Sequence, residues 1–268
     1  MSRTKAPPIL SHKHYDAPSA FMPDSLLREA RRQKGLAAVA VPEICVLDPD
    51  GDIVRHLRAT GHARRHPGWA CYHTELDTFQ HEGCEYGIVG NAVGAAFAVL
   101  IAEELFASGC RLLISMTSAG QIAPIQAPPY FIVVDRALRD EGTSYHYLPP
   151  SDYSEADADL TELAREALGA AGIALQVGAT WTTDAPFRET LEAIDAAAKA
   201  GILAVEMEAA ALYAFAKACN RPVLCFAHVT NQMGRIQGDF EKGVADGAKE
   251  SVRVISLFAS RWRAKKEP

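Results

Sequence analysis

Long apolar runs are missing from this 268-residue chain: the longest, Ala92 to Ala102, has about eleven residues, against the roughly 20 of a membrane-spanning helix. The N-terminus, MSRTKAPPILSHKHYD, has no apolar core of signal-peptide length. No Cys-x-x-Cys occurs among the six cysteines (45, 71, 84, 110, 219 and 225), and none pairs with His at metal-ligand spacing. A disulfide framework or zinc site is therefore not indicated, and the cysteines read as buried free thiols in a reducing, cytoplasmic setting. Positive charge is scarce as well. Lys and Arg number 27 against 33 Asp and Glu, for a formal charge of −6, which leaves no general cationic face for nucleic-acid phosphates.

What remains is a globular composition, 49% hydrophobic and 22% charged, without internal repeat, low-complexity tract or linker. Residues 1–35 read as an arm rich in Pro, His and Ser followed by a charged helix, Asp24 to Lys34, that stops at Gly35. Residues 36–268 read as a single domain. Leu36 to Leu47 is strand-like, and Asp48 to Asp52, DPDGD, is a turn. Strands are expected at Trp69–Leu76, Tyr86–Gly90, Arg111–Ser115, Tyr130–Val134, Ile173–Ala179 and Pro222–Val229. Helices are expected at Gly94–Ser108, Leu160–Ala171, Glu189–Lys199, Val205–Ala218 and Phe240–Trp262. This alternation predicts an α/β fold with a largely parallel sheet and helices on both faces.

Most informative is the stretch GILAVEMEAAALYAFA, Gly201 to Ala216. As a helix from Val205 it is apolar on nearly every side, so it should be buried. Val205, Glu208, Ala211, Leu212 and Phe215 then share one face, which sets Glu208 in an apolar stripe. A buried carboxylate is costly unless paired or used. The plainer alternative is an acidic residue complementing the dipole at a helix N-terminus, and the pattern leaves both readings open. Gly90-Asn-Ala-Val-Gly94 follows a strand but lacks the third glycine of a dinucleotide loop.

This segment resembles the signature of the nucleoside phosphorylase family, the branch of uridine phosphorylases, hexameric purine nucleoside phosphorylases and related nucleosidases. The resemblance extends through AEELFASGCRLLISMTSAGQIAP (Ala102 to Pro124), TWTTDAPFRE (Thr180 to Glu189) and FAHVTNQ (Phe226 to Gln232), and covers roughly residues 40 to 260. It implies a three-layer α/β fold with a twisted mixed sheet, and phosphorolysis of nucleosides to free base and (deoxy)ribose 1-phosphate. No metal or redox cofactor is implied, only inorganic phosphate as co-substrate, and the protein would be a homo-oligomer. By the same resemblance Glu208 holds the ribose hydroxyls, Met207 packs beneath the sugar and Glu206 is their neighbour. Ser118, Ala119 and Gly120 form the phosphate loop. Asn231 faces the leaving base with Phe187 and Arg188, and His14 (or His12) reaches a 5′ hydroxyl from a neighbouring subunit.

The match has gaps on the phosphate side. The family's first phosphate turn, Gly-Asp-Pro followed by Arg, is here Leu47-Asp48-Pro49-Asp50-Gly51-Asp52, and the strand before the loop carries Ser115 where Arg is expected. Serine cannot replace the bidentate charge of a guanidinium. The uridine-specific Gln-x-Arg is absent. Gly61 to His66 is a basic cluster that reads either as a solvated loop or, through Arg64 and Arg65, as a replacement phosphate clamp across an interface. Hydrolysis in the same pocket is therefore the second expectation, and a non-catalytic nucleoside-binding protein the third.

Overall fold

The computed structural model, which describes residues 7–233 and 237–266, alternates strands and helices along most of its length. In chain order the elements are α1 (Pro23–Lys34), β1 (Ile44–Asp48), α2 (Asp52–Ala59), β2 (Arg64–Arg65), β3 (Asp77–His81), β4 (Cys84–Gly90), α3 (Ala95–Ala107) and β5 (Leu112–Gln121). There follow β6 (Tyr130–Asp140), β7 (Tyr153–Glu155), α4 (Ala158–Ala170), β8 (Gln176–Thr183), α5 (Leu191–Lys199), β9 (Ile202–Glu206), α6 (Ala209–Cys219), β10 (Val223–Asn231) and α7 (Ala248–Lys266).

Among the described residues all ten strands belong to one mixed sheet. β4, β1, β5 and β10 run parallel in that order. β10 then pairs antiparallel with β6, β6 parallel with β8, β8 parallel with β9, and β9 antiparallel with β5. The five strands β5, β10, β6, β8 and β9 thus close on themselves, and β5 is shared between this ring and the open wing β1–β4–β3–β2. β1 is buried at all five positions and β10 at all nine, as expected of strands covered on both faces. Residues of α3 and α6 pack on one face, and those of α2, α4 and α7 on the other. The three-layer mixed α/β fold expected from the sequence is the one observed.

Local signals account for several boundaries. Gly35 adopts a left-handed cap that ends α1, Asp157 caps α4 through the Asp159 and Leu160 amides, and Thr190 caps α5. The arm lies over the 144–146 turn, with Lys13 Nζ 2.7 Å from His146 Nδ1 and the Tyr15 hydroxyl donating to the Tyr145 carbonyl. Five of the cysteines are buried free thiols and Cys219 is exposed. Among the described residues no helix is long and apolar enough to cross a membrane.

Other expectations need correction. Strand pairing begins at Ile44 rather than Leu36, and the strand after Trp69 is Asp77–His81, paired in a hairpin with β4. The DPDGD turn leads directly into α2, a helix too short for its periodicity to show. Val205 and Glu206 end a strand rather than open a helix. The final helix begins at Ala248, because Gly243 to Gly247 is a tight non-helical segment with Ala245 and Asp246 in left-handed geometry.

That segment seals the α7 face over His228, which is buried and stacked on Phe131 with ring centroids 4.6 Å apart. At Gly247, φ +75, a Cβ would lie 2.2 Å from His228 Cε1 and 2.6 Å from the Lys242 carbonyl oxygen. Gly247→Ala is expected to cost about 2–4 kcal/mol, combining left-handed strain with overpacking. Gly35→Ala, which meets open space at φ +63, should cost only about 1–2 kcal/mol. Chemical-denaturation midpoints of the two variants measure the difference.

Candidate active site

Parallel register brings the site together. Leu47 of β1 lies beside Ser115 of β5, and Asp48 beside Gly90 of β4, so the turns after β1 and β4 emerge next to the far end of β5. β10 sets His228 beside Ser118, and a bulge after Val229 then brings Asn231 beside Gly120. β9 runs the other way and pairs Val205 with Gly120, which delivers Glu206 to Glu208 to the same place. This is the carboxyl end of the parallel strands, where open α/β sheets bind ligands.

Glu206 and Glu208 have different tasks. Both are buried, at 3% and 1% exposure. One oxygen of Glu206 accepts from the Glu208 and Ala209 amides at 2.7 Å each, and the other from the hydroxyls of Thr180 and Thr182. It therefore caps α6 and ties it to β8, the structural role that the sequence left open for an acidic residue here. Glu208 does not lie within an apolar helical stripe. It immediately precedes α6, and its carboxylate turns toward the loop. Its Oε1 accepts from the Gly94 amide at 2.7 Å and its Oε2 from Thr117 Oγ1 at 2.8 Å. Burial, then the charge of Glu206, push its pKa up to about 8, against the pull of the Gly94 and Thr117 donors.

The loop Ser118–Gly120 is built on the end of β5. The Ser118 hydroxyl meets Thr230 Oγ1 at 2.9 Å, and its amide donates to Asp50 Oδ2 at 2.9 Å. Asn231 accepts from the Met233 amide through Oδ1 at 2.9 Å and donates through Nδ2 to Thr230 Oγ1 at 3.2 Å. Its carbonyl is thereby fixed by backbone, and its amino group also reaches the Ala119 carbonyl at 3.5 Å, a longer bond than the others. On the other side of Asp50, Asp48 is buried, receives the Val54 amide at 2.9 Å and has a pKa raised to about 7, chiefly by burial. Asp52 is paired with Lys242 at 2.6 Å and with Arg55.

The structure thus gathers Glu206, Met207, Glu208, Ser118, Ala119, Gly120 and Asn231 at one end of the sheet. Phe187 and Arg188 form a short turn just past β8, and Phe187 is 99% exposed. Arg64 and Arg65 lie on the far edge strand β2, where Arg65 pairs with Glu75 and Asp77. His14 is exposed on the arm. None of these last five side chains makes a hydrogen bond to Glu208 or to the loop within the chain. Sequence reasoning missed Thr117, Gly94 and Asp50. The acidic DPDGD turn and the second glycine of Gly90–Gly94 were visible signals, but only register shows what they face.

The family model described as the phosphorylase superfamily matches residues 43–260. The chain belongs to that superfamily. It is 28% identical over 248 residues to a uridine phosphorylase of Thermococcus kodakarensis, covering 81% of this chain and 86% of that protein. It is 27% identical over 158 residues to a DeoD-type purine nucleoside phosphorylase of Actinobacillus pleuropneumoniae, 58% of this chain and 66% of the relative. A Bacillus cereus protein of the same DeoD type shares 29% over 141 residues, 52% of this chain and 60% of its own length. The chain thus spans somewhat under two thirds to two thirds of these DeoD-type relatives.

The raised pKa of Glu208 has a consequence for stability. Its folded value of about 8 stands above the ordinary 4.5, so between those limits the folded state holds a proton that the unfolded chain has released. Stability should therefore fall as pH rises through that window. Glu208→Gln removes this penalty, and its stability gain over the parent should grow from near zero below about pH 4.5 to on the order of 1–3 kcal/mol by pH 8. Thermal or urea unfolding across the pH range measures it.

Proposed function

We propose that this chain cleaves the N-glycosidic bond of ribonucleosides, with Glu208 gripping the ribose hydroxyls as the sugar becomes cationic. The buried carboxylate of Glu208 carries the reading. It is ionisable, sits at the strand ends, and is held by Gly94 N–H on Oε1 and by Thr117 Oγ1 and a longer Met207 N–H bond of 3.3 Å on Oε2, so Oε1 keeps a further lone pair. One hydroxyl of a cis-diol would donate to Oε1, and its neighbour would take the place of the long Met207 N–H bond on Oε2. An anionic carboxylate under a sugar of oxocarbenium character stabilises the transition state more than the ground state.

Around this grip, Met207 would pack beneath the sugar. Asn231 would hydrogen-bond the departing base through its amino group, and Phe187 and Arg188 would close over the base. His14 of a neighbouring subunit would meet the 5′ position in a homo-oligomer. The charges that develop are met by a carboxylate and an amide, so the scheme uses no metal or redox cofactor, and the free thiols suit work in the cytoplasm. Were phosphate the acceptor, as in the names of the uridine and purine nucleoside phosphorylases this chain resembles, the Ser118–Gly120 amides and Arg64 or Arg65 from a second subunit would have to form its clamp.

Incubation with a ribonucleoside panel, with release of free base followed by chromatography, tests the reading. Glu208→Ala should lower kcat/KM by at least ~10²-fold while the fold survives, and near-normal turnover by this variant overturns the assignment. Because the grip requires the ionised carboxylate, kcat/KM of the parent should rise with pH and level off above about 8. A parent chain that binds nucleosides without cleaving them would be a binding protein instead.

Asn231 gives a separate expectation. With its carbonyl fixed by Met233 N–H, the amino group can donate to a carbonyl or ring nitrogen of the base, whereas a carboxylate there would accept. Asn231→Asp should shift preference toward 6-aminopurine nucleosides. Relative rates for inosine, adenosine and uridine that do not change would remove Asn231 from the base site.

A further inference from the structure

Resting on the reading of Glu208 as the ribose ligand, we propose that Asp50 occupies the anion seat of the Ser118 loop and makes water, not phosphate, the acceptor of the sugar. The loop's leading amide, Ser118 N–H, is the donor that an incoming anion would use, and it is already bonded to Asp50 Oδ2 at 2.9 Å. Ser118 directly follows Thr117, whose hydroxyl holds Glu208 Oε2 at 2.8 Å. Two consecutive residues thus carry the two carboxylates of the site, and the charge of Asp50 is felt at Glu208.

Three further features close the seat to phosphate. The cleft lined by Asp48, Asp50, Asp52, Thr117, Ser118 and His228 has a free volume of about 10 Å³, roughly that needed for a single water and too little for a tetrahedral oxyanion. Two flanking cations are already engaged: Lys242 pairs with Asp52, and Arg55 pairs with Asp52 and donates to the Asp50 carbonyl at 2.8 Å. Ser115, where a guanidinium would supply charge, is buried with its hydroxyl unpartnered. A dianion placed here would meet like charge from Asp50, with Arg55 already engaged by Asp52.

The same carboxylate suits a water nucleophile. As the C1′–N bond breaks, its electron pair leaves with the base, and the water oxygen bonds to C1′. The water's proton passes to Asp50, which returns it to solvent, and the base takes a proton from solvent at the released nitrogen. The sum is nucleoside plus water giving free ribose and free base.

Two measurements on the parent chain need no variant. Phosphate titrated into the protein, followed by calorimetry, should show no binding at millimolar concentration. Nucleoside turnover should be the same in phosphate-free and millimolar-phosphate buffer, with free ribose as product. Asp50→Asn keeps an acceptor for Ser118 N–H but loses the base, so hydrolysis should fall by about 10²-fold and no sugar phosphate should form. Asp50→Ala vacates the seat, and phosphate should now bind. Ribose 1-phosphate from the parent chain, equal phosphate binding by parent and Asp50→Ala, or undiminished hydrolysis by Asp50→Asn would each overturn the proposal. A parent chain that cleaves no nucleoside overturns the reading of Glu208, while the phosphate titration still decides whether Asp50 closes the loop.

Discussion

Two carboxylates buried two residues apart constrain everything near the junction of β9 and α6. Placing Glu206 and Glu208 out of water is tolerable only if each oxygen finds donors, and the surrounding elements are arranged to supply them. β8 contributes two threonine hydroxyls, the first turn of α6 its open amides, β5 the hydroxyl of Thr117 and the turn after β4 the Gly94 amide. Glu206 is fully consumed by this duty. Its neighbour is held less completely, and burial, followed by the repulsion between the two, raises the pKa of Glu208. Both glutamates accept two backbone amides, and they differ in side-chain donors, two threonines for Glu206 against one for Glu208.

Much of this was legible before any coordinates. The alternation of elements, the buried Ala-rich helix and the grouping of Glu208, Ser118 and Asn231 all follow from pattern and resemblance, and superfamily membership bears out the latter. The failures have physical causes. Val205 and Glu206 are as apolar and acidic in a strand as in a helix, and a run of alanines extends a helical period backwards across a boundary set by the Glu206 cap. α2 was hidden because its eight residues follow a turn signal that reads as a loop. Thr117 gave no sign of function, and Gly94 only that of a turn glycine, because what they face depends on register between β4, β5 and β9. Long-range register of this kind is not written in local sequence.

The DPDGD turn shows how a departure from a family pattern acquires meaning. As sequence it is only an acidic stretch where arginine and glycine are expected. In the fold Asp48 braces the start of α2 through Val54 N–H, Asp52 anchors Lys242 and Arg55, and Asp50 alone is turned to the Ser118 amide. The three aspartates are thus not interchangeable. Two stabilise the turn that presents the third.

The span of the hydrogen bonds around the site bears on when the site can exist. Glu208 reaches back 114 residues to Gly94 and 91 to Thr117, and Lys242 reaches back 190 to Asp52. During synthesis the loop after β5 is made while its partners from β9, α6 and β10 are still to come, so no nascent chain that stops short of α6 can hold both carboxylates in place. Contacts this distant in sequence must offset the entropy of closing large loops, which makes such topologies slow to fold. A ribosome-bound fragment that ends before β9 would therefore carry the acidic turn and the loop without the carboxylates that join them.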